Sequence, residues 1–112
     1  MFIFVKTLDM KNILLQLIPI NWAYHPMGIC PVQAEGEFMG YYFYFRARFD
    51  MITIEFAKTQ SDWFRNKIVY SKILKRTNGV YDAGYYPRKE CINLIQKGCV
   101  LFFIYKIFKI KL

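Results

Sequence analysis

The sequence predicts an α+β fold: an antiparallel three- to four-stranded β-meander packed against a C-terminal helix, with a short N-terminal helix. Three observations carry that prediction. Between Val32 and Phe56 apolar residues alternate with polar ones, and after Pro87 they return at helical spacing. The length, 112 residues with 55% hydrophobic content, suits one domain with a core of its own, so residues 1–112 are read as a single unit.

In chain order, Met10, Ile13, Leu14 and Leu17 recur at helical intervals, with Asp9 placed to cap the segment and Pro19 to end it. "PINWAYHPMGICP" carries Pro19, Pro26, Gly28 and Pro31 and reads as a loop. The period then changes to two. Val32, Ala34, Gly36 and Phe38 alternate with Gln33, Glu35 and Glu37. In the next run Tyr41, Phe43, Phe45, Ala47 and Phe49 alternate with Tyr42, Tyr44, Arg46 and Arg48. In the third, Ile52, Ile54 and Phe56 alternate with Thr53, Glu55 and Ala57.

Two-residue turns at Met39-Gly40 and Phe49-Asp50 make these runs consistent. They set Phe38 against Tyr41, Gly36 against Phe43 and Ala34 against Phe45, then Ala47 against Ile52, Phe45 against Ile54 and Phe43 against Phe56. Every apolar residue then falls on one face, and a slip of one residue would destroy the agreement. Gly40 suits a positive φ, whereas Phe49-Asp50 is the poorer turn pair.

Residues 59–79 fit neither period, although Lys67 to Ile73 can form a fourth strand. A helix begins near Pro87 with Cys91, Leu94, Ile95 and Gly98 on one face and Arg88, Lys89, Asn93, Gln96 and Lys97 on the other; Gly98 is placed to stop it. The remaining "CVLFFIYKIFKIKL" alternates toward its end and reads as a last strand or an apolar tail, taken up by the core or by the edge of a homo-oligomer.

Charge is unevenly distributed. Residues 1–62 hold five Lys/Arg against six Asp/Glu, and residues 63–112 hold eleven against two. A basic half of this kind is attracted to polyanions. A biased base composition accounts for it equally well, since Phe, Tyr, Met, Ile, Asn and Lys, all with A/T-rich codons, fill about half of the chain. Cys30, Cys91 and Cys99 are odd in number and lack close pairing, and His25 is the single histidine, so no metal site is expected and the thiols read as buried ones in a reducing, cytoplasmic setting. No export signal is evident, and the charge-free run Gly98–Tyr105 is too short to cross a bilayer. Attachment to a membrane surface through "LFFIYKIFKIKL", whose rings mixed with lysine suit an interface, is a third reading, but uptake of this tail by the core or an oligomer edge is preferred and no membrane partner is expected.

The blocks "CPVQAEGEF", "YYFYFRAR" and "YDAGYYPRKECINLIQKG" together resemble a family of small uncharacterised bacterial and phage proteins whose core reads PVQAEG, FYFRAR and an AGxxP-started helix. The likeness spans about residues 31–98 and leaves 1–29 and 99–112 outside. It implies a shared fold, and it brings no activity with it.

The predicted register gathers Glu35, Glu55, Tyr42, Tyr44, Arg46 and Arg48 on one sheet face as a candidate binding surface. Paired carboxylates beside a tyrosine serve acid–base chemistry only where a cleft desolvates them. An open face laced by salt bridges is the plainer reading, so no enzyme activity, cofactor or small-molecule substrate is expected. Cys30 and His25 offer a weak thiol–imidazole pair. Arg65, Lys67, Lys72, Lys75 and Arg76 form a candidate basic patch. The expectation is a non-enzymatic protein-interaction module of a bacterium or phage, with a protein partner or self-association. The alternative is a small basic nucleic-acid-binding protein that uses the sheet rings, the arginines and the lysine-rich C-terminal half.

Overall fold

In this computed structural model residues 19–29, 31–79 and 82–110 are described, and the expected N-terminal helix over Met10–Leu17 lies outside them. The three alternating runs are strands β2 (Val32–Phe38), β3 (Tyr41–Arg48) and β4 (Met51–Ala57). Their pairing is the one the turns require: Phe38 faces Tyr41, Ala34 faces Phe45, Phe45 faces Ile54 and Phe43 faces Phe56. Both turns are two residues long. Met39 and Gly40 have φ of 54° and 77°, as a primed hairpin turn needs, and Phe49 reaches φ 57° without the help of a glycine.

Two strands flank these three. β1 (Ile20–Met27) pairs with β2, and β5 (Tyr70–Arg76) pairs with β4. Among the described residues the sheet is thus five-stranded, antiparallel throughout and in sequence order. This corrects two expectations. The loop reading of "PINWAYHPMGICP" gives way to an edge strand. Ile20, Trp22 and Tyr24 are partly buried while Asn21, Ala23 and His25 are exposed, and Pro26 is tolerated because an edge strand leaves one side of its backbone unpaired. Register shifts between Trp22 and Met27 mark where the proline-bearing end departs from regular pairing. The strand expected over Lys67–Ile73 begins at Tyr70 and runs on to Arg76.

A five-residue helix, α1 (Gln60–Phe64), fills part of the stretch that carries no clear period. Thr59 caps it, its Oγ1 accepting from the Asp62 N–H at 3.0 Å. A single 3-10 turn at Asp82–Tyr85 precedes the last helix. It is tied to the β3–β4 turn by the Ala83 N–H, which donates to the Phe49 carbonyl at 2.9 Å.

The C-terminal helix, α2, runs from Arg88 to Phe108 without a break at Gly98, and no strand follows it among the described residues. The physical reason lies beneath it. At Gly98 the helix lies close on the sheet: a Cβ there would lie 3.0 Å from Ile54 Cγ2, so the glycine serves packing and does not terminate the helix. The helix ends at Lys109, in the left-handed region at φ 57°, whose N–H donates to the Tyr105 carbonyl at 3.0 Å.

The core lies between α2 and one sheet face. Phe43, Phe45, Ile52, Ile54 and Phe56 from the sheet meet Cys91, Ile95, Cys99 and Phe102 from the helix, all fully buried. Phe102 stacks on Phe56 with ring centroids 4.1 Å apart and meets Tyr41 edge-on at 5.1 Å. Gln96, assigned to the polar side of the helix by spacing, is buried instead, and its Oε1 has no hydrogen-bond partner. Burial pushes the Cys91 thiol up to about 11 and the Cys99 thiol higher still, as expected of inert interior thiols.

Candidate functional site

The opposite face of the sheet carries the ring-and-charge cluster. Period two sends Gln33, Glu35 and Glu37 of β2 outward beside Tyr42, Tyr44 and Arg46 of β3 and Thr53 and Glu55 of β4. Tyr44 sits between Glu35 and Glu55 in the pairing, as the sequence implies.

This face is not open, however. Helix α1 follows β4 directly and folds back over it, laying Trp63 across the tyrosines with ring centroids 4.6 Å from Tyr44 and 5.9 Å from Tyr42. The indole N–H donates to Glu55 Oε1 at 3.0 Å. The Tyr42 hydroxyl donates to Glu35 Oε1, and the Tyr44 hydroxyl donates to Gln33 Oε1 at 2.9 Å. Both carboxylates are thus held by ring donors. Tyr42 points outward as predicted but is buried, Tyr44, Glu35 and Glu55 are half-buried, and Arg46 and Arg48 are exposed. The Arg48 guanidinium rests 4.5 Å over the Phe49 ring.

The tyrosines respond to this cover. Burial, and then the charge of Glu35 and a hydrogen bond to it, push Tyr24 of β1 up to about 12. Burial followed by the bond to Glu35 pushes Tyr42 up further, and burial also raises Tyr44. These hydroxyls therefore stay protonated through neutral pH and act as hydrogen-bond donors.

The face carries two concavities, and Trp63 forms part of the wall of the second. One, of about 400 Å³, lies between β1, β2 and the start of α1 and is lined by Trp22, Glu35, Glu37, Tyr42, Lys58 and Thr59 among others. The second, of about 330 Å³, is lined by Tyr44, Arg46, Thr53, Glu55, Trp63 and Ile73 among others. Among the described residues no group of three or more His, Cys, Asp or Glu is arranged to hold a metal ion. His25 stacks on Trp22 at 4.7 Å, while Cys30 lies outside the described residues.

The candidate basic residues are not brought into one patch. Arg65 and Lys67 follow α1, whereas Lys72, Lys75 and Arg76 string out along the β5 edge. Lys75 turns onto the Tyr86 ring at 5.2 Å, and Arg76 pairs opposite Met51. Sequence reasoning missed Trp63 and Tyr24, which complete the face. The one local signal for Trp63 is Thr59 three residues before Asp62, a helix-start pattern that places the indole on the first turn. Comparison of the chain with protein-family models, curated proteins and solved structures finds no match.

Proposed function

We propose that this protein is a non-enzymatic interaction module that receives a polypeptide segment of a partner on the outer face of its sheet. One observation carries the reading: each concavity mixes charge, Glu35 and Glu37 with Lys58 in the first and Glu55 with Arg46 and Lys72 in the second. A lining of mixed charge with rings suits a peptide that presents a basic side chain toward Glu35 and Glu37 and an acidic one toward Arg46. A polyanion would meet three glutamates on the same surface. The protonated tyrosines supply donors and a rigid apolar floor. The likeness to small bacterial and phage proteins fits a small accessory role of this kind, and its three blocks coincide with β2, β3 and the opening of α2.

Nucleic-acid binding is the second reading, favoured by the exposed Arg46 and Arg48 next to Tyr44 and Trp63 and by the basic β5 edge. Affinity capture with the wild-type chain and with Arg46→Glu separates the readings when paired with anisotropy on single-stranded and duplex DNA. A protein retained by the wild type and lost from Arg46→Glu supports the module. DNA affinity that falls steeply between low and moderate salt replaces it with the second reading. A monomer that captures nothing and binds no DNA removes both.

A further inference from the structure

The solvent-facing stripe of α2 changes character part-way along. Its first half shows Asn93 and Lys97, both exposed. After Lys97 the same stripe continues with Val100, Phe103, Ile104, Ile107 and Phe108, of which Phe103, Ile107 and Phe108 are 42%, 53% and 62% exposed. The helix is long and apolar enough to cross a membrane by length and composition, and 33% of its apolar stretch is buried. It is nevertheless fastened to the sheet by Ile95, Cys99 and Phe102, so crossing a bilayer would dissolve the core. An apolar surface fixed on a folded protein is what remains.

Charge restricts what covers that surface. From Cys91 to the last residue the chain has no Asp or Glu and four lysines, Lys97, Lys106, Lys109 and Lys111. At the end of the helix Lys106 lies 5.0 Å over the Tyr41 ring. Its hydrogen bond, with the added charge of Lys58 and Lys109, lowers the Tyr41 hydroxyl below its ordinary value. A second copy is a poor occupant. Pairing two such stripes in either direction sets lysine against lysine, and five side chains fall far short of the roughly 20 residues a side that a stable dimer uses.

We propose that the α2 stripe from Val100 to Phe108, with its flanking lysines, is a docking surface for an anionic lipid bilayer, the helix lying along the headgroup plane. The exposed rings and isoleucine enter the acyl boundary while Lys97 and Lys109 meet the phosphates. The stripe is on the opposite side of the sheet from Trp63, so peptide binding and membrane docking proceed independently.

Co-sedimentation of the full chain with vesicles tests this. Vesicles of equal parts phosphatidylserine and phosphatidylcholine should carry the protein down, pure phosphatidylcholine should not, and added salt should release it. Ile107→Asp, at a position half exposed, should abolish binding with an unchanged circular dichroism spectrum. Lys97→Glu with Lys109→Glu should weaken it by at least about fivefold per lysine. The charge variants keep the test valid should Ile107→Asp perturb the fold. No binding to phosphatidylserine vesicles at low salt overturns the proposal, as does equal binding by the variants. A concentration-dependent dimer lost in Ile107→Asp overturns it in favour of a second copy. Vesicle binding that appears only after residues 1–18 are removed overturns it in favour of cover by the chain's own leading segment.

Discussion

On the helix side of the sheet, Phe43, Phe45, Ile54 and Phe56 are fully buried against α2; on the outer side, Tyr42, Tyr44, Glu35 and Glu55 come from the same strands yet are held by hydrogen bonds and one indole. The first face is stabilised by removal of apolar area from water, which depends on shape and volume. The second depends on a few directional contacts beneath a lid that one short helix supplies. Damage to the inner face should therefore cost stability, and damage to the outer face should cost recognition.

The sharpest test of that contrast is Phe45→Ala, which should lose about 3–5 kcal/mol in denaturant unfolding because its site is sealed on every side. Gly36→Ala comes next. A Cβ there would lie 2.6 Å from the Asn21 carbonyl oxygen and 2.8 Å from the Phe43 ring. Overpacking of this kind costs about 1–3 kcal/mol, and hydrogen exchange should show β1 loosening first. If exchange rises evenly over the sheet, β1 is more firmly seated than an edge strand with two register shifts should be.

Trp63→Ala reaches the outer face alone. It should cost about 1–2 kcal/mol, and ultraviolet titration should find Tyr44 ionising closer to the ordinary tyrosine value of about 10. An unmoved Tyr44 titration would mean that the indole is not what desolvates it. Alkaline pH acts on both faces, since burial raises Tyr70, Cys91 and Cys99 of the inner one as well, and the outer share is read from the tyrosines there. Tyr24, Tyr42 and Tyr44 are all raised in the folded state, so their contribution is intact below the unfolded tyrosine pKa. That contribution is lost as pH rises, for Tyr24 over the interval from about 10 in the unfolded chain to about 12 in the folded one. Stability measured across that interval should fall, and Tyr24→Phe should flatten part of the decline. The smallest effect belongs to Arg46→Ala, exposed and without a role in the core, which should change stability by no more than about 0.5 kcal/mol. A large loss there would erase the distinction between the faces.

Legibility follows the same division. The registers of β2, β3 and β4 can be read because two short turns and one apolar face over-determine them. The helix at Pro87 is legible by its spacing, but its length is not, since a glycine that stops a helix and one that lets a helix approach a sheet look alike in sequence. Gln96 misleads for the same reason: polarity alone does not show which way a helix is rotated on its sheet. At the candidate site, Glu35, Tyr44, Arg46 and Glu55 can be placed from alternation. Trp63 cannot, because the fold of α1 over β4 is a tertiary event following a five-residue helix too short to announce itself by periodicity.

What the residues alone determined is the central meander and the sidedness of its groups, because period-two alternation and turn chemistry act between near neighbours. Tertiary structure alone decided that Ile20–Met27 joins as an edge strand, that α2 continues past Gly98, and that an indole closes the outer face. Each of these rests on a contact that no local period announces: the β2 backbone for the unpaired groups of β1, Ile54 for the missing Cβ of Gly98, and Glu55 for the Trp63 N–H.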